Sequence, residues 1–301
     1  MGLLDGKVAV VTGAGRGIGR GEALELARCG ARVVVNELDA DAGDAVVEEI
    51  AAAGGTAVLN TGDCSETDAA RDLVRQAIDT YGALDALVNN AGILRDRTVA
   101  KMSPEEWDTV IKVHLRGHYA CTHFACEYWR AEGRSGAIVC TTSSSGLLGN
   151  FGQANYGAAK AGIAAFSTIV AQEMARYGVT CNSVAPAART RMTEGAYGDI
   201  PRTVGDEELF DFWHPDNVAP MVAYLCSDGA RHISGKVFGV QGDAVELYRP
   251  YTSVAVIENH SLRWTPEGLA ARVPELFDAS GMVPEAEVMM AKLRYSMTVR
   301  G

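Results

Sequence analysis

The 301-residue chain is short of positive charge: 27 Lys and Arg face 38 Asp and Glu, for a formal charge of −11. That deficit argues against a general nucleic-acid binder or a protein of anionic membrane surfaces. Paired cysteines are missing as well. The seven that occur are scattered, without a CxxC pair or His-rich spacing, so neither a zinc site nor a disulfide framework is signalled. Such thiols suit a reducing cytosol, where free Cys behaves as a small buried hydrophobe. No apolar run approaches the length that spans a bilayer. The opening stretch, MGLLDGKVAVV, has neither the basic start nor the long apolar region of a secretory signal. The closing Val299-Arg300-Gly301 matches no receptor-read address, so a cytoplasmic location is expected. Internal repeats and low-complexity linkers are absent too. What remains, 48% hydrophobic and 22% charged residues, is an ordinary globular composition with ample material for one large α/β domain or two small ones.

Lys7-Val8-Ala9-Val10-Val11-Thr12 has the β-branched composition of a buried strand. Gly13-Ala-Gly15-Arg16-Gly17-Ile18-Gly19 follows at once, and a helical pattern then runs to about Cys29. A Gly-rich turn between strand and helix lets backbone N–H groups and the helix dipole meet a phosphate. The next run, Ala31 to Asn36, ends in Glu37, at the distance from the glycines where an acid accepts hydrogen bonds from a ribose diol. Glu37 would repel a 2′-phosphate, which favours NAD over NADP; the plainer alternative is a solvated acid at a strand end. Strands and helices then alternate, which implies βα units and a parallel sheet. A helix over 40–53 stops at Gly54-Gly55, and Thr56 to Leu59 is a strand leading to Asp63, placed to reach an adenine amine. A helix from Thr67 to Tyr81 is closed by Gly82. Asp85 to Val88 leads into Asn89-Asn90-Ala91-Gly92, and one long helix is expected from Pro104, capped by Ser103, to about Ala131. Strands over 137–142, 179–184 and 236–240 and short helical stretches complete the pattern, with the Tyr156 helix running to about Tyr177.

The stretch from Ser143 to Lys160, SSSGLLGNFGQANYGAAK, gathers the candidate chemistry. Tyr156 and Lys160 stand four apart, on one helix face a turn apart. A phenol with an ordinary pKa of about 10 is a poor base near neutrality. A neighbouring ammonium favours the phenolate, and a nearby hydroxyl can hold a carbonyl or alkoxide oxygen. A bare Tyr-xxx-Lys pair is also common on solvated helices, so it gains meaning only from its surroundings.

With Thr12-Gly13-xxx-Gly17-x-Gly19, Asn89-Asn90-Ala91-Gly92, Ser143 thirteen residues before Tyr156, and Lys160 in this order, residues 5 to about 248 resemble the short-chain dehydrogenase/reductase family. The resemblance implies a Rossmann-type doubly wound parallel α/β sheet of about seven strands, with helices on both faces. It also implies a nicotinamide cofactor across the strand carboxyl ends and a homodimer or homotetramer. Tyr156 would exchange a proton with the substrate oxygen, Lys160 would hold the nicotinamide ribose and tune Tyr156, and Ser143 would position the carbonyl. The residues implied around the cofactor are Gly13, Arg16, Gly17, Ile18, Gly19, Glu37, Asp63, Asn90, Ala91, Gly92, Pro186 and Thr190, with Tyr156 and Lys160; no metal is implied. Asn90 would support the adenine-side ribose. Residues 90–97, Val113 to Gly117 and Gly149 to Tyr156 are similar to one branch, the (3R)-hydroxyacyl-CoA dehydrogenase domain of the peroxisomal multifunctional β-oxidation enzyme and its bacterial stand-alone relatives. His114 stands where most of the family has an Asn that anchors a relay water; a variant relay and a structural histidine both fit. Pro186-Ala187-Ala188 replaces the usual Pro-Gly.

A 3-hydroxyacyl-CoA is therefore the expected substrate, with a hydroxysteroid or other bulky alcohol as the alternative, and a non-catalytic dinucleotide sensor as the alternative from another class. Arg95, Arg97, Arg189, Arg191 and Arg202 fall on segments flanking the substrate side of this fold, where guanidinium groups could meet CoA phosphates. Tyr197, Leu209, Phe210, Phe212 and Trp213 suggest an apolar lid between Gly195 and His214. Residues 249–301 form a helical extension, with helices expected from Thr265 and over Pro284 to about Ser296. They are too few for a core of their own and are expected to pack on the main domain or a neighbouring subunit.

Overall fold

The β-branched runs become the parallel strands of one sheet in the computed structural model, which describes residues 2–190, 210–249 and 251–287. They are β1 (Val8–Thr12), β2 (Arg32–Asn36), β3 (Thr56–Asn60), β4 (Ala86–Asn89), β5 (Ala137–Thr141), β6 (Thr180–Ala187) and β7 (Val237–Gln241). An eighth strand, β8 (Ala244–Tyr248), pairs antiparallel with β7, giving the order β3-β2-β1-β4-β5-β6-β7-β8. The chain order reverses between β1 and β4, which opens a crevice at their carboxyl ends where ligands of doubly wound sheets bind. The expected sheet thus gains one strand. Val245 and Leu247 of β8 are 57% and 65% exposed, so its apolar residues point away from the core and give no buried-strand signal.

Period-two alternation divides the core into two layers. Ala9, Val11, Val33, Val35, Val88 and Val139 face α1 (Gly17–Arg28), α2 (Ala40–Ala52) and, after the intervening elements, α8 (Ala219–Leu225). Val8, Val10, Leu87 and Ile138 face α3 (Thr67–Tyr81), α5 (Gly117–Ala131) and α7 (Ala154–Met174). Each fully buried Leu, Ile or Val in these layers contributes roughly 1.5–3 kcal/mol of transfer free energy.

The helix expected over 104–131 is continuous in path but irregular. Its first part, α4 (Pro104–Ile111), starts with a capping box: Ser103 Oγ accepts from Glu106 N at 3.2 Å, and Ser103 N donates to Glu106 Oε2 at 3.0 Å. One π-helical turn, Lys112–Arg116, then precedes α5. Such turns bulge a helix and recur at functional sites. A short helix, α6 (Ser144–Leu148), leads from β5 to α7.

Two compact units make up the chain, Met1–Tyr248 and Arg249–Gly301. Within the second unit Thr265 caps α9 (Pro266–Arg272), its Oγ1 accepting from Gly268 N at 3.0 Å. A second helix, α10 (Pro274–Ser280), follows directly and ends at Gly281 with φ 69°. The sequence expectation of a helix from Pro284 is corrected: residues 284–287 are not helical, and 288–296 lie outside the described residues. Pro274 takes the first helical position, where a proline needs no intrahelical N–H partner, and the left-handed Gly281 terminates the helix before Pro284 is reached.

Candidate active site

The glycine turn between β1 and α1 is shaped by close approach. A Cβ on Gly19 would lie 2.2 Å from Gly13 O and 2.4 Å from Asn90 Nδ2, and one on Gly13 (φ 64°) would meet Ala91 Cα at 2.8 Å. Thr12 Oγ1 accepts from Asn90 N at 3.0 Å and Ala91 N at 3.1 Å. Asn90 Nδ2 donates to Thr12 O at 3.0 Å and Gly13 O at 3.1 Å, so the Asn90 amide braces the turn. Ile18 packs on the core below it, and Thr190, after β6, comes within 3.3 Å of where a Gly17 Cβ would stand. Pro186 lies in β6 opposite Val240, half-buried at the carboxyl end of the sheet.

Glu37 closes the other side of the turn. Its Oε2 accepts from Gly15 N at 3.0 Å and its Oε1 from Asp39 N at 3.2 Å. Arg16 pairs with Asp39 at 2.5 Å. The rim beside Glu37 therefore carries two carboxylates and one guanidinium already engaged by one of them. Asp63 Oδ1 accepts from Ser65 N at 2.9 Å and Ser65 Oγ at 2.7 Å, which fixes the carboxylate after β3. The narrow glycine turn and the start of α1 could hold the phosphates of a dinucleotide, and Glu37 could hold its ribose diol.

At the adjoining strand ends, Ser143 is the N-cap of α6: its Oγ accepts from Ser145 N at 3.1 Å. A hydroxyl used as an acceptor keeps its own proton to donate. Lys160, on α7, is 2% exposed and its Nζ donates to Thr141 O at 2.5 Å. Burial pulls its pKa down to about 7, against the opposing influence of Cys140 and Glu22. Its Nζ lies 5.6 Å from the centre of the Tyr156 ring. The structure thus brings Tyr156 and Lys160 together, at the carboxyl end of the strand from which Ser143 emerges.

His114 belongs to the π turn and packs edge-on against Tyr156, with ring centroids 5.2 Å apart. Its Nε2 lies 2.7 Å from Ile93 O and 3.0 Å from Ile93 N, while Nδ1 is buried without a hydrogen-bond partner among the described residues. Burial, and then the nearby Lys160 charge, lower its pKa to about 3, so the imidazole is neutral near pH 7. Gly92 makes the fit possible: a Cβ there would stand 2.3 Å from His114 Cε1.

Of the expected guanidinium cluster, Arg95, Arg97 and Arg189 are among the described residues. Arg189 is corrected: it forms an ion pair with Asp211, a partner that its sequence neighbours do not reveal. Arg97 pairs with Glu106 at 3.3 Å and Arg95 donates to Leu94 O at 2.7 Å; both remain on the exposed strap after Ile93. Arg191, Arg202, Tyr197 and Leu209 lie outside the described residues. Trp213 is corrected from lid to core: it is 4% exposed and meets Phe212 edge-on at 5.0 Å. The ring of Phe212 sits where a Gly242 Cβ would be. The residues that sequence reasoning overlooked are Gln153 and Asn155, which bond the strap to the start of α7. Both fall in the stretch Gly149 to Tyr156 that carries the branch resemblance, which by itself gives them no role. Among the described residues no His, Cys, Asp and Glu cluster could hold a metal ion, and no helix is long and apolar enough to cross a membrane.

A doubly wound sheet with a glycine turn at its crevice and a Ser-Tyr-Lys group beside it defines a nicotinamide-dependent oxidoreductase. The family model described as short chain dehydrogenase matches residues 7–199, and the chain belongs to that family. It is 45% identical over 295 residues to hydroxyacyl-CoA dehydrogenase ChsB1 of Mycobacterium tuberculosis, covering 94% of this chain and 91% of the relative. It is 39% identical over 285 residues to peroxisomal multifunctional enzyme type 2 of Mus musculus, covering 92% of this chain and 37% of that longer protein. The crystal structure of a short chain dehydrogenase from Mycobacterium avium matches with a TM-score of 0.84 and 43% identity, over 93% of this chain and 97% of that one. The protein is an oxidoreductase acting on CH–OH groups of small molecules, with a nicotinamide cofactor.

Proposed function

We propose that the protein oxidises a 3-hydroxyacyl-CoA, of fatty-acid or sterol side-chain origin, to the 3-oxoacyl-CoA with NAD. The observation that carries the substrate class is near full-length similarity, at 45% identity, to a hydroxyacyl-CoA dehydrogenase. Preference for NAD is supported by Glu37 at the ribose position and by Asp39 engaging Arg16, the guanidinium that a 2′-phosphate would otherwise meet. The NAD(P) cofactor, when bound, supplies the hydride acceptor.

The chain's own residues handle the proton. Ser143 Oγ–H holds the substrate oxygen, and the Tyr156 phenolate takes the hydroxyl proton as the C–H bond gives up its hydride. Lys160 stands beside that phenol with its Nζ anchored on Thr141 O, so the ammonium favours the phenolate at a fixed place. In this reading Gly13 to Gly19, Asn90 to Gly92, Asp63, Pro186 and Thr190 line the cofactor. His114, neutral and tied to Ile93, supports the π turn behind Tyr156 rather than supplying charge. The assembly proposed is a homo-oligomer.

The test is NADH formation by purified protein offered NAD with 3-hydroxyacyl-CoA esters, free secondary alcohols or hydroxysteroids. A strong preference for the CoA esters is the expected result. Turnover of free alcohols or steroids without gain from CoA would discard the acyl-CoA assignment and keep the dehydrogenase.

A further inference from the structure

The strap that leaves Gly92 has a second attachment besides His114. Arg95, Asp96 and Arg97 are each held by the segment that opens α7. Asn155 Nδ2 donates to Arg95 O at 3.0 Å, Gln153 Nε2 donates to Asp96 Oδ2 at 2.8 Å, and Arg97 N donates to Gly152 O at 2.8 Å. Arg97 and Gln153 form a parallel β-bridge, an isolated one outside the main sheet. Asn155 carries the densest part of this junction. It is fully buried, its Nδ2 also donates to Glu106 O at 3.2 Å, and its Oδ1 accepts from Tyr156 N at 2.7 Å. Tyr156 N is among the first N–H groups of α7, which lack an intrahelical acceptor. A single side chain therefore satisfies the backbone of Tyr156, of the strap and of α4 at once.

The chemistry of an amide is what the place requires. Two carbonyl oxygens call for a two-proton donor, and the N–H of Tyr156 calls for an acceptor on the same group. A carboxylate of the same shape keeps the acceptor and turns an anion toward two carbonyls. A leucine removes both functions and takes a hydrogen bond from the strap, from α4 and from the first turn of α7.

We infer that Asn155 is a positioning residue that couples the strap 93–97 to the Tyr156 phenol, so that the seat of the strap sets the place of the proton acceptor relative to Lys160. This rests on Tyr156 being the proton acceptor of the dehydrogenase reading. A displacement of the phenol from the ammonium weakens the charge interaction that favours phenolate. Loosening the junction therefore moves a pH midpoint, which a purely structural role does not.

The experiment compares the protein with Asn155→Asp and Asp96→Ala. Phenolate formation by Tyr156 is followed by ultraviolet difference titration, each protein against the same protein carrying Tyr156→Phe, with no substrate present. Asn155→Asp is expected to raise the midpoint by at least about half a pH unit and to lower kcat about ten-fold or more, with KM for NAD unchanged. Asp96→Ala removes an exposed carboxylate and one tie of the strap; it is expected to lower kcat/KM for the alcohol several-fold with an unchanged melting temperature. If Asn155→Asp does not fold, the Asp96→Ala result decides. A midpoint unmoved in Asn155→Asp, with kcat falling only in step with the folded fraction, overturns the inference. So does an Asp96→Ala protein with wild-type kinetics. Because the titration needs no substrate, failure to oxidise any acyl-CoA would count against the proposed function alone.

Discussion

In the proposed mechanism Tyr156 takes the hydroxyl proton while Ser143 holds the substrate oxygen, and a single substitution tests the first of these tasks. Tyr156→Phe removes the proposed proton acceptor while leaving the ring that packs on His114. Turnover is expected to fall by about a hundred-fold or more, with NAD binding retained in a calorimetric titration. Retained turnover would show that another group moves the proton. The cofactor rim gives a second residue-level expectation. Asp39→Asn takes from Arg16 the charge it pairs with at 2.5 Å, leaving the guanidinium for a 2′-phosphate. The ratio of NADP to NAD affinity should rise about five-fold or more, by direct binding of each dinucleotide. An unchanged ratio would place the discrimination elsewhere, Glu37 being the next candidate.

At the scale of elements, the most instructive feature is the π turn between α4 and α5, because its His114 meets a distant piece of sequence, the strap after Gly92. His114 reaches Ile93 only because Gly92 has no side chain in the way; a Cβ there meets Cε1 at 2.3 Å and Nδ1 at 3.0 Å. Gly92→Ala should push the ring off Ile93, cost about 1–3 kcal/mol by overpacking, and lower kcat with it. Urea unfolding alongside steady-state kinetics measures both. Wild-type values in each would mean that the turn yields without disturbing Tyr156. Nothing in residues 104–131 announces the π turn, and its His114 is held by Ile93, which lies outside that stretch. The strands, the glycine turn and the capped helices were legible because their signals are local: β-branched runs, Ser103 with Glu106, Gly82 after Tyr81. By the same logic β8 was missed, its apolar side facing outward. The helix α10 gives no separate signal because Pro274 serves as a start directly after α9 rather than as a break. The Arg189–Asp211 pair and the Asn155 junction join residues that only the fold brings near each other.

On the scale of the whole molecule, two buried titrating groups bend the dependence of stability on pH in opposite directions. Glu22 lies on the core side of α1, 1% exposed, and its Oε2 has no hydrogen-bond partner among the described residues. Burial raises its pKa from 4.5 to about 8, the Lys160 charge opposing the rise. Burial lowers Lys160 from 10.5 to about 7. Between 4.5 and about 8 the folded protein keeps a proton on Glu22 that the unfolded chain has lost, so this group makes stability fall as pH rises. Between about 7 and 10.5 the unfolded chain holds a proton on Lys160 that the folded protein has released, so that group makes stability rise with pH. Below about 7 the counterweight passes to buried His114, whose lowered value makes stability rise with pH up to 6.5, so the Glu22 effect is isolated by comparing a variant with the parent protein. Glu22→Gln keeps the shape and removes the titration. Its stability relative to the parent protein should therefore grow by about 2 kcal/mol between pH 5 and pH 7, read from urea unfolding at each pH. A difference that stays flat across that range would mean that the Glu22 carboxyl ionises as readily inside the fold as outside it. The buried charge behind the glycine turn would then be held by a partner that α1 shares with the rest of the core.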